Sequence, residues 1–145
     1  MIDDRQFCTF YVDGLFFGVE VLKVQEVIRY QEMTRVPLAP AMVQGLINLR
    51  GQIVTAIDLR ERFGFPVREQ EHLPMNVVIR THDGAVSLLV DEIGDVLEAD
   101  QSLFEVPPET LRGPVRELVR GVFKLKDRLL LVLDTEKAIT APGQN

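Results

Sequence analysis

VQGLINLRGQIVTAIDLRERF, residues 43–63, recurs later in the chain as VRGVFKLKDRLLLVLDTEKAI, residues 119–139. The two stretches align without a gap and share the spacing of Val, Gly, Leu and a closing Asp. They differ at their centre, where Arg50-Gly51 of the first copy becomes Lys126-Asp127 in the second. Self-similarity of this kind predicts a chain built from two related structural units.

The repeat extends outward to the segments that precede each block. FCTFYVDGLFFGVEV (7–21) has two β-rich runs on either side of Asp13-Gly14, and VVIRTHDGAVSLLV (77–90) has the same pattern around Asp83-Gly84. Asp-Gly between such runs is typical of a β-hairpin. Each half therefore reads as a hairpin, a Val-rich segment, a Pro-containing linker and the repeated block.

The repeated block itself predicts a second hairpin, with its turn at Arg50-Gly51 in the first copy. Leu129 to Leu133 are apolar at every position, which indicates a strand covered on both faces. Each copy ends in an aspartate, Asp58 or Asp134, followed by a short helical pattern. An acceptor side chain at this place predicts a helix N-cap.

Two further segments carry a helical pattern. In residues 21–28, Val24, Val27 and Ile28 have the spacing that would place three aliphatic side chains on one helix face. Residues 91–100 are a weaker helix prediction because Gly94 lies in their middle.

The residues thus predict a mainly β chain with a few short helices. We expect two small barrel-like units of about five short strands, which pack together because neither has a large core of its own. The halves would span about 7–63 and 75–139 within one domain, 7–139, with terminal tails at 1–6 and 140–145. Residues 64–74 contain Gly, two Pro and mixed charge, and form the natural boundary loop.

Composition restricts the class of protein. The chain has 145 residues and a formal net charge of −6, which argues against non-specific binding to nucleic acid. Its single cysteine, Cys8, fits a reducing compartment. The acidic N-terminus lacks the pattern of a signal peptide, and no apolar run approaches the roughly 20 residues of a membrane helix. We therefore expect a cytoplasmic protein.

Catalytic and metal-binding patterns are absent from the sequence. No pair of Cys or His has metal-ligand spacing, so neither a metal nor a cofactor is predicted. A small enzyme using Asp58, Asp134 and His82 is one alternative, although capping explains both aspartates better. A barrel-type binder of single-stranded nucleic acid is the other, and it would need a positive groove. Both alternatives are weaker than a non-catalytic binding module.

The residues that remain suit contact with proteins. Arg50 lies at a predicted hairpin tip, and arginine is enriched among the residues that dominate protein interfaces. Asn48 lies two residues earlier on the same strand face. Arg50 could instead be an ordinary solvated turn residue. Val24 and Val27 could belong to the core or line a groove that receives an amphipathic helix.

Three stretches together point to a known family. LKVQEV (22–27), VQGLINLRGQIVTAIDLRERFG (43–64) and VSLLVDEIGDVLE (86–98) resemble the signature segments of the CheW family of bacterial chemotaxis coupling proteins. The resemblance runs from about Phe7 to Ile139. It implies two SH3-like five-stranded β-barrels packed side by side. With no receiver domain after the second block and no phosphotransfer segment before the first hairpin, it implies the coupling protein rather than a CheV-type fusion or the kinase.

The resemblance also implies a function and its residues. Such proteins are non-catalytic adaptors that couple the cytoplasmic helical tip of a chemoreceptor to the regulatory domain of a CheA-type histidine kinase, and they reach membrane-associated receptor arrays through these partners. The implied receptor-binding residues are Val24, Glu26, Val27, Asn48, Arg50 and Gly51. The implied kinase-binding residues, placed only loosely, are Gly45, expected at a turn, and Leu59, Phe63, Gly64, Val86, Asp91 and Asp95.

Overall fold

The computed structural model describes residues 4–141, in which ten strands form two five-stranded sheets with a few short helices between them. The mainly β fold class is confirmed. The strands are β1 (Asp4–Val12), β2 (Leu15–Glu20), β3 (Val24–Ile28), β4 (Val43–Leu49), β5 (Gln52–Asp58), β6 (Met75–Thr81), β7 (Gly84–Val90), β8 (Glu92–Asp100), β9 (Val119–Lys124) and β10 (Leu129–Leu133). The helices are α1 (Leu59–Phe63), α2 (Gly113–Leu118) and α3 (Thr135–Ala138), and short 3₁₀ turns span Val21–Lys23 and Gln101–Leu103.

Each sheet takes strands from both halves of the chain. The first sheet has the order β8-β1-β2-β10-β9, and the second has the order β3-β6-β7-β5-β4. A hairpin from one half therefore lies beside three strands of the other half. Moving every strand to its repeat equivalent converts one order into the other, so the topology is pseudo-two-fold symmetric.

The expectation that each half builds its own barrel is therefore wrong. The chain leaves the first sheet after β2, through the 3₁₀ turn Val21–Lys23, and leaves the second sheet after β7, through Asp91 alone. Self-similarity of sequence shows which strands are alike, but it does not show which strands pair.

Two of the tight turns form as the sequence predicts. Asp13-Gly14 joins β1 to β2 with φ values of 50° and 79°, and Arg50-Gly51 joins β4 to β5 with 52° and 87°. Positive φ at both central residues is the geometry of a type I′ hairpin turn. The β6–β7 hairpin is also present, but its turn lies one residue earlier than predicted, because Thr81 pairs with Gly84.

Both segments with a helical pattern outside the repeated blocks are strands. Residues 24–28 form β3, which pairs with β6, and only Val21–Lys23 before it is helical. Residues 92–100 form β8, which pairs with β1 along nearly its full length. In both cases, pairing with a distant strand overrides a weak local periodicity.

A shared glycine allows each linker to cross an outer strand. Thr34, in the linker after β3, exchanges two backbone hydrogen bonds of 2.8 Å with Leu46 of β4. A Cβ on Gly45 would lie 2.8 Å from the Thr34 carbonyl oxygen, closer than real Cβ contacts come. Gly121 plays the same part in β9, where a Cβ would lie 2.6 Å from the carbonyl oxygen of Glu105. This close approach explains why both copies keep the glycine.

The largest hydrophobic cluster lies between the two sheets. It contains Phe10 and Phe17 from the β1–β2 hairpin, and Val77 and Leu88 from the β6–β7 hairpin, all almost completely buried. The three α-helices cover this cluster, and Phe63 of α1 stacks on Phe17 with ring centroids 4.8 Å apart. Because the cluster draws on both sheets, it fixes them to each other.

A smaller cluster lies on the far side of each sheet. Strand β10 lies between two clusters, so its side chains are apolar on both faces. Leu131 and Leu133 belong to the central cluster, whereas Leu130 and Val132 face the smaller cluster of the first sheet. The prediction that this strand is covered on both faces is confirmed.

The predicted tails coincide only partly with the structure. Residues 4–6, expected in the N-terminal tail, extend β1. Residues 1–3 and 142–145 lie outside the described part of the chain.

Candidate interaction surface

The tip of the β4–β5 hairpin brings three of the predicted receptor-binding residues together. Asn48 accepts a hydrogen bond of 2.9 Å from the backbone N–H of Gly51, through its side-chain oxygen. The turn is thereby closed, and Arg50 points outward with its side chain 73% exposed. Asn48 and Gly51 therefore set the direction in which Arg50 is presented.

Arg50 is paired with Glu26 of β3. Its guanidinium donates a hydrogen bond to the Glu26 carboxylate, and the two side chains form an ion pair. This hydrogen bond is the main reason why the pKa of Glu26 lies below its ordinary value and the pKa of Arg50 above its own. Because β3 and β4 are the outer strands of the second sheet, the pair joins its two edges.

Apolar residues lie on the same strand as Glu26 and on neighbouring segments. Val27 is exposed, whereas Val24 is partly buried and packs against the central cluster. Two exposed aliphatic residues lie on neighbouring segments and were not predicted: Leu22 in the 3₁₀ turn before β3, and Ile53 in β5. Their exposure could not be predicted from the sequence, because aliphatic residues in a β-rich run usually belong to the core.

Arg80 holds Leu22 in place. Its guanidinium donates hydrogen bonds to the backbone carbonyl oxygens of Leu22, at 3.1 Å, and Val24, at 2.8 Å. The 3₁₀ turn is thus tied to β6, and the exposed Leu22 side chain is carried by a fixed backbone.

The second copy of the hairpin is built differently at its tip. Between β9 and β10 the loop has four residues, 125–128, instead of two, and Leu125 donates a backbone hydrogen bond to Arg128. The guanidinium of Arg128 lies 3.8 Å from the ring centroid of Phe16, a cation–π contact. Asp95, the repeat equivalent of Glu26, is exposed, and its backbone carbonyl accepts a hydrogen bond from Thr9. The two tips therefore present different chemistry.

The predicted kinase-binding residues are scattered. Leu59 and Phe63 are 0% and 3% exposed and belong to the central cluster, so their side chains are not available to a partner. They were misplaced on the surface because a five-residue helix gives too few positions to distinguish its faces. Gly45 lies inside β4 rather than at a turn. The other four residues are Gly64, at the left-handed end of α1, Val86, partly buried in β7, Asp91 between β7 and β8, and the exposed Asp95.

Asp91 is the centre of a polar network that the sequence does not reveal. Arg60 of α1 donates two hydrogen bonds to its carboxylate, from Nε at 2.9 Å and from the terminal nitrogen at 2.8 Å. Arg68 of the boundary loop donates a third at 3.0 Å, and the backbone N–H of Asp13 donates a fourth at 2.7 Å. The network thus joins the β1–β2 turn, α1 and the boundary loop.

The network shifts the ionisation of Asp91. Partial burial alone would raise the pKa of its carboxyl group, but the hydrogen bonds from Arg60, the Asp13 backbone and Arg68 outweigh it and hold the pKa below its ordinary value. Asp58 also contacts Arg68, at 3.4 Å. The arrangement stabilises the fold around the chain crossing between the two sheets.

The residues of the enzyme alternative do not form a common site. Asp58 accepts a hydrogen bond from the backbone N–H of Arg60, and Asp134 accepts one from that of Lys137, both at 3.1 Å, so each is a helix N-cap as predicted. His82 lies at the β6–β7 turn, whereas Asp58 is level with Leu89 near the other end of β7. Within residues 4–141, no cluster of three or more His, Cys, Asp or Glu side chains is arranged to hold a metal ion. None of the helices described in that range could span a bilayer.

Comparison with known proteins gives a consistent result. Residues 6–142 match the family model for the CheW-like domain. The chemotaxis protein CheW of Treponema pallidum is 30% identical, with the alignment covering 97% of this chain and 86% of that protein. CheW of Bacillus subtilis is 31% identical over 90% of this chain and 83% of its own. The crystal structure of the scaffolding protein TtCheW from Thermoanaerobacter tengcongensis has the same fold, with a TM-score of 0.85 at 24% identity, covering 100% of this chain and 92% of that one.

Proposed function

Because the chain belongs to the CheW-like family, we propose that it is a non-catalytic adaptor in bacterial chemosensory signalling. It couples the cytoplasmic helical tip of a chemoreceptor to the regulatory domain of a CheA-type histidine kinase. It works in the cytoplasm and is recruited to membrane-associated receptor arrays through these partners. Residues 7–139 act as one domain, because strand exchange leaves neither half with a complete sheet.

The observation that carries the proposal is the contact between Arg50 and Glu26. It unites two segments that are distant in sequence and that the family resemblance assigns to the same partner. Val27 lies next to Glu26, and Asn48 and Gly51 shape the turn beneath Arg50. An exposed ion pair, on segments that also carry exposed aliphatic residues, suits the surface of a receptor helix that carries both apolar and charged residues.

The kinase-binding side needs a revised residue set. Gly64, Val86, Asp91 and Asp95 remain candidates for direct or indirect roles. Leu59 and Phe63 act through the core instead, by supporting the backbone of α1 from below. An adaptor must hold two partners together, so the receptor and kinase surfaces have to be separate.

Titration of the purified protein with a receptor-tip fragment, and separately with the kinase regulatory domain, tests the proposal. We expect binding to both, and we expect a ternary complex when all three are mixed. A folded protein that binds neither partner would refute the adaptor function.

Arg50→Glu places like charges opposite each other and is expected to weaken receptor-tip binding while leaving the unfolding midpoint unchanged. Arg5→Glu is the matched control, since Arg5 also forms an exposed ion pair, with Glu20 at 2.8 Å. Exposed pairs of this kind contribute little to stability, so the control should fold and bind normally. Unfolding caused by Arg50→Glu would show that Arg50 is structural.

A further inference from the structure

One turn in the linker between β3 and β4 has an unfavourable backbone conformation. Val36, Pro37, Leu38 and Ala39 form a β-turn in which the N–H of Ala39 points to the carbonyl oxygen of Val36 at 3.4 Å. Leu38 has a φ of 66°. Pro at the second position and positive φ at the third define a type II turn, whose third position favours Gly or Asn. A leucine is strained in this conformation.

The Leu38 side chain gains nothing from the rest of the fold. It is fully exposed, at 105%, the highest value among the apolar residues of the described part of the chain. A strained backbone that carries an unburied leucine brings no benefit to folding. Strain of this kind is retained where it serves a function, which here would be contact with another molecule.

The turn is held rigidly at its base. The hydrogen bonds between Thr34 and Leu46 fix the chain before it, and Val43 donates a backbone hydrogen bond of 2.9 Å to Pro40 after it. Pro37 restricts the turn itself. A side chain presented from a preorganised backbone loses less entropy on binding than one on a mobile loop.

The surface around the turn has a distinct charge. A cleft with a volume of ≈ 720 Å³ lies beside it. Its lining includes Tyr30, Met33, Val36 and Val43, and Arg35 is the one formally charged residue among the lining residues. On a chain of net charge −6, a cleft whose lining has one cation and no anion favours an apolar partner surface that offers a carboxylate.

The turn lies away from the receptor-facing pair. Strand β4 runs from Val43, next to the linker, to Leu49, next to Arg50. Seven strand residues at about 3.3 Å each separate the two ends by roughly 20 Å. A partner seated on the Leu38 turn therefore leaves the Arg50–Glu26 surface open to a second partner.

We propose that Leu38 is an apolar anchor for the kinase regulatory domain, inserting into a pocket of that domain with a carboxylate at its edge that faces Arg35. The assignment rests on the proposed adaptor function, which requires a second surface for the second partner. It adds a specific residue and a specific chemistry to that surface.

The test uses two substitutions that relieve the strain and remove the apolar side chain, Leu38→Asn and Leu38→Gly. Both should keep the unfolding midpoint or raise it, because Asn and Gly tolerate positive φ. Both should weaken binding to the kinase regulatory domain at least about tenfold, as for a residue at an interface centre, and leave receptor-tip binding within twofold. Val106→Asn is the control, because Val106 is similarly exposed in the linker of the second half of the chain.

The charge is tested separately. Arg35→Glu should also weaken binding to the kinase domain, with a larger effect at low salt, whereas Arg120→Glu, another exposed arginine, should not.

The outcomes separate the anchor from the adaptor function. If the wild-type protein binds both partners and both Leu38 variants bind the kinase domain with unchanged affinity, the anchor role of Leu38 alone is overturned. If the Leu38 variants lose only receptor-tip binding, or only self-association of this chain, then Leu38 contacts that partner and not the kinase domain. Wild-type protein that binds the receptor tip but not the kinase domain overturns both the anchor and the kinase half of the proposed function.

Discussion

Asp91→Asn removes one negative charge from the centre of the polar network while keeping the size of the side chain. The carboxylate accepts four hydrogen bonds, three of them from the guanidinium groups of Arg60 and Arg68. An asparagine offers only one oxygen as acceptor, and its amide nitrogen cannot accept from an arginine. We therefore expect about half of the hydrogen bonds to be lost. Each guanidinium group also loses its nearest countercharge, keeping only the longer contacts of Arg60 with Asp13, at 3.5 Å, and of Arg68 with Asp58, at 3.4 Å.

The size of the effect follows from burial. The side chains of Asp91, Arg60 and Arg68 are 18%, 16% and 11% exposed, so water replaces the lost contacts only in part. Hydrogen bonds to charged groups contribute about 1.5–3 kcal/mol each, and partial hydration reduces that figure. We expect the free energy of unfolding to fall by about 2–3 kcal/mol, which lowers the melting temperature by roughly 5–10 °C in a chain of this length.

The effect should depend on pH in a definite direction. An unfolded aspartate titrates near pH 3.9, and folding lowers the pKa of Asp91. Its contribution to stability is therefore fully present above the unfolded pKa and is lost as the pH falls through the folded one. The difference between wild type and Asp91→Asn should be constant near neutral pH and shrink below about pH 4.

Urea unfolding followed by circular dichroism, repeated across this pH range, measures the difference. Asp127→Asn is the control, because Asp127 is an exposed carboxylate at the β9–β10 loop. A loss below about 0.5 kcal/mol at neutral pH, the range of ordinary surface substitutions, would contradict the role given to the network. So would a loss that stays the same in acid.

Three further substitutions test the packing, the glycine contact and the helix cap. Phe63→Ala removes a ring that is 3% exposed and stacked on Phe17, and should lower the free energy of unfolding by about 3–5 kcal/mol in urea titrations; a loss under 1 kcal/mol would mean that the core refills the space. Gly121→Ala puts a Cβ into the Phe104 ring, so calorimetry should show the free energy of unfolding reduced by about 1–3 kcal/mol. In Gly14→Ala the added Cβ meets no atom within 4 Å, so this variant tests only the positive φ of the turn. Asp134→Ala removes the cap of α3 and should cost about 1 kcal/mol; an equal loss in Asp134→Asn, which can still cap, would point to a role for the charge instead.

The parts of the fold that depend on local chemistry could be predicted from the sequence. Asp13-Gly14 and Arg50-Gly51 form hairpin turns because both central residues accept positive φ. Asp58 and Asp134 cap helices because each side chain accepts a hydrogen bond from a backbone N–H in the first turn of the helix. These features involve only a few neighbouring residues. Helix α2 was missed, although Gly113 followed by Pro114 is a recognisable helix start.

The parts that depend on distant contacts could not be predicted. Nothing near β3 or β8 in the sequence shows that they pair with β6 and β1, so their residues were taken for helix. The same is true of the candidate site. The family resemblance named Glu26 and Arg50 separately, but their ion pair is visible only in the folded chain. Leu38 drew no attention in the sequence, because its importance lies in a φ value.

The strand exchange between the two sheets bears on how such a chain could have arisen. A half-length ancestor with the pattern of residues 7–63 would have a hairpin and three strands that belong to different sheets, so it could complete neither sheet alone. Two identical copies, each lending its hairpin to the other, would complete both, as in a domain-swapped homodimer. Gene duplication and fusion through the boundary loop then gives one polypeptide with the same core. After fusion the two halves are encoded separately and can diverge in sequence. One hairpin tip can then keep Arg50 while the other loses it.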